Sequence, residues 1–224
     1  ADVCENWTDV PGVLAADPRL VPQAEPIARL TYAQLQSLSA VGMQVLHESA
    51  VEPVRAAQIP LHIRSTHQPE APGTLIGCPD TGGGTDGAVG FAARRGIAML
   101  RLTPLAPHTA EAVRQTVQQA GVKILHSAEG FEQMTLLLEA DAAALHLAAE
   151  QLARRLPRTQ IKLRENLSLL AALQGGKGAL PRVIAAIQDA GVPVHDLAQT
   201  DACLLMIVND SQFETALRAA YEAR

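Results

Sequence analysis

Hydrophobic positions in the second half of the chain follow one pattern twice. Val113, Val117, Val122 and Ile124 recur seventy positions later as Val183, Ile187, Val192 and Val194, with Gly121 and Gly191 at the same point of each copy. Apolar residues four apart predict a helix, the glycine suits a left-handed helix end, and the β-branched residues after it start a strand. Further apolar runs predict strands at 97–103 and 167–173 before each copy, and at 134–139 and 203–208 after it. Asp141 and Asp210 then precede another amphipathic helix. The predicted order is β-α-β-β-α, repeated.

That order is the split-βαβ, ferredoxin-like unit. The first copy can complete its sheet with 161–164, whereas no strand pattern follows the last helix before Arg224. A bare sheet edge is a liability, so the second copy is expected to take a strand from upstream, within 88–94. Before the repeats the periodicity changes. Residues 1–15 read as a strand end and a loop. Thr31 is placed to cap a helix with Leu35, Leu38, Val41 and Val45 on its apolar face and Gly42 in its interior. A short helix at 51–58 stops before Ile59-Pro60, and 61–66 alternates as a half-buried strand. Residues 77–87, Gly-Cys-Pro-Asp-Thr-Gly-Gly-Gly-Thr-Asp-Gly, are too polar and glycine-rich to order themselves and read as a linker. A phosphate-cradling loop would need a helix after it, and a strand-like run follows instead. The expected division is 1–80, an α/β portion, then two α+β units at 88–158 and 159–224.

Composition narrows the class. With 48% hydrophobic residues in 224, the chain can bury one ordinary core or two small ones. Its 18 basic and 23 acidic residues are spread without blocks, which argues against nucleic acid and anionic membranes as partners. No apolar run approaches the roughly 20 residues that span a bilayer, so a cytoplasmic protein is expected. Cys4, Cys78 and Cys203 are odd in number and far apart, fitting reduced thiols rather than a disulfide framework or a zinc pair. Gly175-Gly176-Lys177-Gly178 lacks the spacer and hydroxyl of a P-loop, and His62 and His67 have no partner at ligand spacing, so no metal site is expected.

The sharpest wording lies near the N-terminus. Thr8-Asp9-Val10-Pro11-Gly12 and Asp17-Pro18-Arg19 make two bends, followed by Gly42-Met43-Gln44-Val45-Leu46-His47 and by Arg64-Ser65-Thr66-His67-Gln68-Pro69 running on to Gly73-Thr74-Leu75-Ile76. In order and spacing these pieces resemble the nucleotide-side motif of aspartate kinases, and the tandem units resemble the ACT pair of their regulatory tail. The resemblance begins in mid-domain: the family's lysine-rich first strand, its aspartate-binding threonine and glutamate, and much of its glycine loop have no counterpart here. It implies the C-terminal part of an amino-acid-kinase αβα domain followed by two ferredoxin-like ACT βαββαβ units.

What the resemblance implies for chemistry is specific. Thr8, Asp9, Leu14, Gln44 and Val45 fall at nucleotide-contacting positions, and Arg19 falls where a cation neutralises phosphates. The complete enzyme uses ATP with Mg to phosphorylate aspartate on the way to lysine, threonine and methionine, and no catalytic residue of its aspartate side is matched here. Four positions depart from the family pattern: Leu14 stands for a tyrosine, Gln44 for a lysine, and Gln34 and Ser37 for glutamates. A lysine or threonine effector is implied at His108, Thr109, Ser127 and Glu129, although the turn 104–109 has two prolines and no glycine. A homodimer through the ACT units is implied as well. The alternative from another class is a non-catalytic amino-acid-sensing or dimerising module with a decayed kinase remnant.

Overall fold

A computed structural model describes residues 1–42, 46, 48–77, 88–106, 108–175, 179–200 and 202–224. They divide into two compact units, the first made of Ala1–Ala93, Leu170–Val208 and Gln212–Arg224, the second of Arg94–Leu169 and Asn209–Ser211. The expected linker, apart from Gly77, lies outside the described residues.

The first unit opens with a four-stranded sheet. Strands β1 (Cys4–Thr8), β2 (Arg29–Leu30), β3 (Leu61–Ser65) and β4 (Thr74–Ile76) lie in the order β1-β3-β4-β2. β1 runs parallel to β3, with Trp7 opposite Arg64, and β3 runs antiparallel to β4. Alternation in β3 puts Leu61, Ile63 and Ser65 inside, as a half-buried strand requires. Helix α1 (Tyr32–Val41) is capped by Thr31, whose side chain accepts from the Gln34 amide, while the Gln34 side chain accepts from the Thr31 amide. This is a capping box, worth about 1 kcal/mol. Gly42 is not interior, as expected, but the C-cap: at φ 112° its N–H reaches the Leu38 and Ser39 carbonyls. A left-handed turn there ends the helix. Helix α2 (Glu48–Ala56) follows.

Two long strands follow, and both correct the expectation of shorter pieces. Residues 88–93 and 97–103 form one strand, β5 (Ala88–Thr103), and 161–164 and 167–173 form another, β8 (Gln160–Gln174). Each carries a left-handed residue within it, Gly96 at φ 68° and Asn166 at φ 56°. These positions are seventy apart, so the repeat extends to a backbone irregularity that hydropathy does not register. A single left-handed residue bends a strand without ending it.

In the second unit, α3 (Ala110–Gln119), β6 (Lys123–Gly130), β7 (Gln133–Glu139) and α4 (Ala142–Arg155) complete the first copy, with strands in the order β6-β7-β5-β8. Leu100, Leu102, Val113, Val117, Met134, Leu136 and Leu152 are among its core, each at most 1% exposed. Asp141 caps α4 by accepting from the Ala144 amide at 2.8 Å. The second copy's α5 (Ala179–Asp189), β9 (Asp196–Gln199), β10 (Cys203–Asn209) and α6 (Phe213–Glu222) lie largely in the first unit, where β8, β10 and β9 are neighbours. Asp210 does not repeat the capping role of Asp141. A short 3-10 turn, Asp210–Gln212, intervenes before α6, and the Asp210 carboxylate binds Arg95 and Ser168. Gly176, Lys177 and Gly178 lie outside the described residues.

Candidate functional site

Residues 13–27 of the first unit form a hairpin with Asp17-Pro18-Arg19 at its tip. Its rungs are Ile27 N–H to Val13 O at 2.7 Å and Ala15 N–H to Glu25 O at 2.9 Å, and Leu14 bridges Pro26 between them. The hairpin's back is apolar: Val13, Ala15, Ala16 and Val21 are each at most 1% exposed. At its base Thr74, fully buried, accepts from the Val13 amide at 2.8 Å and donates to the Ile27 carbonyl at 2.7 Å. Thr74 therefore pins both strands of the hairpin with one hydroxyl. Gly12 makes room for it: at φ 136° any side chain is strained, and a Cβ would stand 2.6 Å from the Thr74 hydroxyl.

At the tip, the Asp17 carbonyl accepts from the Leu20 and Val21 amides, and its carboxylate accepts from the Arg19 amide at 2.9 Å. The same carboxylate holds the Arg19 guanidinium, with Nη2 to Oδ2 at 2.6 Å and Nε to Oδ1 at 3.0 Å. Arg19 keeps the Asp17 carboxyl below its ordinary pKa, and Asp17 raises that of Arg19. The Arg19 side chain remains 87% exposed, so the tip presents a cation whose charge is balanced from one side and open to solvent on the rest.

The end of β1 carries the other predicted contacts. The Thr8 hydroxyl donates to Asp9 at 3.1 Å, while the Thr8 carbonyl accepts from the Thr66 amide and hydroxyl, which fixes where β1 stops. Beside them Arg64 lies 4.6 Å from the Trp7 ring centroid and donates to Glu5 at 3.1 Å and to the Pro69 carbonyl at 2.7 Å. Trp7 also donates to Glu5. The hydrogen bond from Arg64, then that from Trp7, holds the Glu5 carboxyl below its ordinary pKa. Trp7 is 43% exposed next to Thr8 and Asp9, and it is the chain's one tryptophan.

Leu14 sits part-buried in the hairpin ladder and brings no hydroxyl. Gln44 and Val45 lie outside the described residues. Gln34 has its own explanation: beyond the capping box, its Nε2 donates to the Gln174 carbonyl at 3.1 Å, which a glutamate cannot do. Thr74 was legible only as one letter of a motif. Its role comes from burial and from two bonds to backbone 61 and 47 residues away in sequence.

The predicted effector residues lie in the second unit. His108 has φ 67°, and Thr109, at the start of α3, donates its hydroxyl to the Ala106 carbonyl at 2.6 Å instead of capping the helix. Ser127 Oγ is buried with no hydrogen-bond partner among the described residues. Glu129 is engaged: Arg114 donates to it and, at 3.0 Å, to Glu111. Among the described residues no three His, Cys, Asp or Glu side chains gather to hold a metal ion, and no helix is long and apolar enough to cross a membrane.

Comparison with known proteins bears on both halves. Residues 1–65 match the Amino acid kinase family. Aspartokinase 3 of Bacillus subtilis is 25% identical over 236 aligned residues, covering 99% of this chain and 52% of that protein. The crystal structure of Clostridium acetobutylicum aspartate kinase superposes with a TM-score of 0.88 at 28% identity, covering all of this chain and 54% of that one. Aspartokinase III of E. coli, in complex with aspartate and ADP, shares the fold with a TM-score of 0.77 at 21% identity, over 100% of this chain and 52% of that one. This chain thus spans about half the length of these proteins. Over its whole length it is similar to the C-terminal part of aspartate kinases, the end of an amino-acid-kinase domain followed by ferredoxin-like ACT units.

Proposed function

We propose that this chain supplies the nucleotide edge and the regulatory tail of an aspartate kinase, which transfers the γ-phosphoryl of ATP to the side-chain carboxylate of aspartate. The observation that carries the reading is the hairpin pinned by Thr74, with Arg19 87% exposed at its tip. Phosphoryl transfer is mostly positioning and charge neutralisation, and a rigid loop presenting an arginine supplies both. Thr8 and Asp9, at the end of β1, take the base and sugar, with Leu14, Gln44 and Val45 beside them. Arg19 meets the phosphates by exchanging its Asp17 partner for a phosphate oxygen, for which its planar donors are equally suited. Mg arrives with ATP and neutralises phosphate charge; no step is assigned to a metal ligand of this chain. The E. coli relative's complex with aspartate and ADP supports the substrate class.

In the same reading 1–80 is the kinase-domain portion, and 88–158 and 159–224, the latter completed by 88–94, are the ACT units through which two copies pair in the cytoplasm. An amino-acid effector, lysine or threonine, is placed by the family pattern at His108, Thr109, Ser127 and Glu129. The ion pair between Arg114 and Glu129 competes with an effector's ammonium, so binding there is weak. A coupled ADP-release assay tests the whole. A polypeptide of these 224 residues gives no turnover with Mg-ATP and aspartate, and the same residues joined to the N-terminal half of an aspartokinase do. Turnover by the 224 residues alone, surviving repurification, contradicts the proposal.

A further inference from the structure

The hairpin that carries Arg19 is held at its base by Thr74, yet a second clamp, unassigned so far, holds it from the C-terminal helix. Within the first unit the Tyr221 hydroxyl, on the last turn of α6, donates to the Gln23 carbonyl at 3.1 Å and accepts from the Glu25 amide at 3.3 Å. One phenol oxygen thus bonds the return strand of the hairpin on both sides of Ala24. Tyr221 is 7% exposed, with Phe91 at 6.5 Å between ring centroids and the Arg224 guanidinium over its ring at 4.3 Å. Arg224 also pairs with the Glu25 carboxylate. Phe91 in turn donates its amide to the Ala15 carbonyl at 2.7 Å, on the outgoing strand of the same hairpin. Next to it Gly90 lies so close that a Cβ would fall 2.7 Å from Ile27 Cδ1.

We propose that Tyr221 is a positioning residue for nucleotide binding: it fixes the strand that returns from Arg19, so that the order of the phosphate-facing tip depends on the packing of α6. This rests on the nucleotide reading of the hairpin given above. The physical case is that Arg19 itself is 87% exposed and, among the described residues, is held by Asp17, two residues away, so its placement is that of the hairpin backbone. Among the described residues, Thr74 and Tyr221 reach that backbone from outside the hairpin with side-chain bonds at its base and flank. Thr74 belongs to the kinase sheet. Tyr221 belongs to the second repeat, in a helix that packs on α5 and buries Phe213, Ala216, Leu217 and Ala220. A shift of α6 therefore reaches the phosphate side through one hydroxyl and one ion pair, which gives the repeat a direct route to nucleotide affinity.

Tyr221→Phe removes the hydroxyl and keeps the ring. Arg224→Met is a second variant that removes the ion pair to Glu25 and keeps an apolar stem over the ring. Thr200→Val is the control, deleting a hydroxyl that bonds Cys203 at the β9–β10 connection. Amide exchange at residues 13–27 and affinity for ADP are measured on the 224-residue chain. In Tyr221→Phe the Glu25 amide exchanges about 3- to 10-fold faster and ADP binds about 3- to 10-fold more weakly, the range expected for one lost hydrogen bond. Arg224→Met moves both readouts in the same direction, and Thr200→Val moves neither. Unchanged exchange at Glu25 overturns the clamp. Faster exchange with unchanged ADP affinity overturns the positioning role while leaving the nucleotide reading standing. No ADP binding by the wild-type chain overturns the nucleotide reading and the positioning role with it.

Discussion

Asp210→Asn tests the account of how the second unit is held. The carboxylate accepts from Arg95 Nε at 3.0 Å, from Arg95 Nη2 at 2.7 Å and from the Ser168 hydroxyl at 2.6 Å, so it ties β5 to β8 beside the two left-handed residues, Gly96 and Asn166. The Arg95 hydrogen bonds, above the smaller contribution of Ser168, lower the Asp210 pKa from 3.8 to about 2. At about 1.36 kcal/mol per pH unit that is roughly 2.4 kcal/mol. Arg95 is 51% exposed and Asp210 29%, so solvent screening leaves less. About 1 kcal/mol is the expected contribution. Because the folded pKa is depressed, this stability is fully present above the unfolded value near 4 and is lost as pH falls through about 2. Urea unfolding of wild type and Asp210→Asn should therefore differ by about 1 kcal/mol at pH 6, and the gap should close as the pH approaches 2. Raising the salt to 1 M should shrink the gap at pH 6, since a half-exposed pair is screened. A gap as large near pH 2 as at pH 6, or none at pH 6, refutes the reasoning.

Thr74→Val keeps the shape but leaves the Val13 amide and Ile27 carbonyl unpaired, and should destabilise by about 2–4 kcal/mol in urea unfolding; a loss below about 0.5 kcal/mol would show that the hairpin does not depend on that hydroxyl. Gly12→Ala should be comparably damaging, because its Cβ meets the same hydroxyl at 2.6 Å, and the two changes together should cost less than their sum, measured as a double-mutant cycle. Calorimetric titration with free lysine or threonine should show no site tighter than about 0.1 mM, roughly 5.5 kcal/mol; a tighter saturable site would mean that the Arg114–Glu129 pair opens readily for a ligand.

Much of this was legible in the sequence, and for a physical reason. Periodicity reports burial, so the helices around Val113 and Val183, the alternating strand from Leu61, and the Thr31 cap appear where hydropathy and capping chemistry place them. It does not report backbone conformation. Gly96 and Asn166 look like strand boundaries because a glycine and an asparagine interrupt apolar runs, yet each is a left-handed residue within a longer strand. Gly42 looked interior because Val45 continues the apolar spacing past it. Asp141 and Asp210 occupy equivalent places in the repeat, and only the presence of Arg95 opposite one of them turns a cap into an ion pair. The site divides in the same way. Motif wording singles out Thr8, Asp9 and Arg19 as candidates, whereas Thr74 and Tyr221 make contacts across 47 to 198 residues of sequence, which no local pattern encodes.

The central claim is that the hairpin tip receives nucleotide phosphates, and ADP titration read by Trp7 fluorescence tests it most directly. Trp7 is the chain's one tryptophan, is 43% exposed, and adjoins Thr8 and Asp9, so a bound base or sugar changes its surroundings. The account predicts a saturable signal with the wild-type chain and one weakened about 10-fold or more in Arg19→Ala, as expected for a lost charge-assisted contact worth roughly 1.5–3 kcal/mol. Adenosine, which lacks phosphates, should give the same weak binding to both proteins. No saturable signal, or equal ADP affinity with and without the Arg19 side chain, contradicts it.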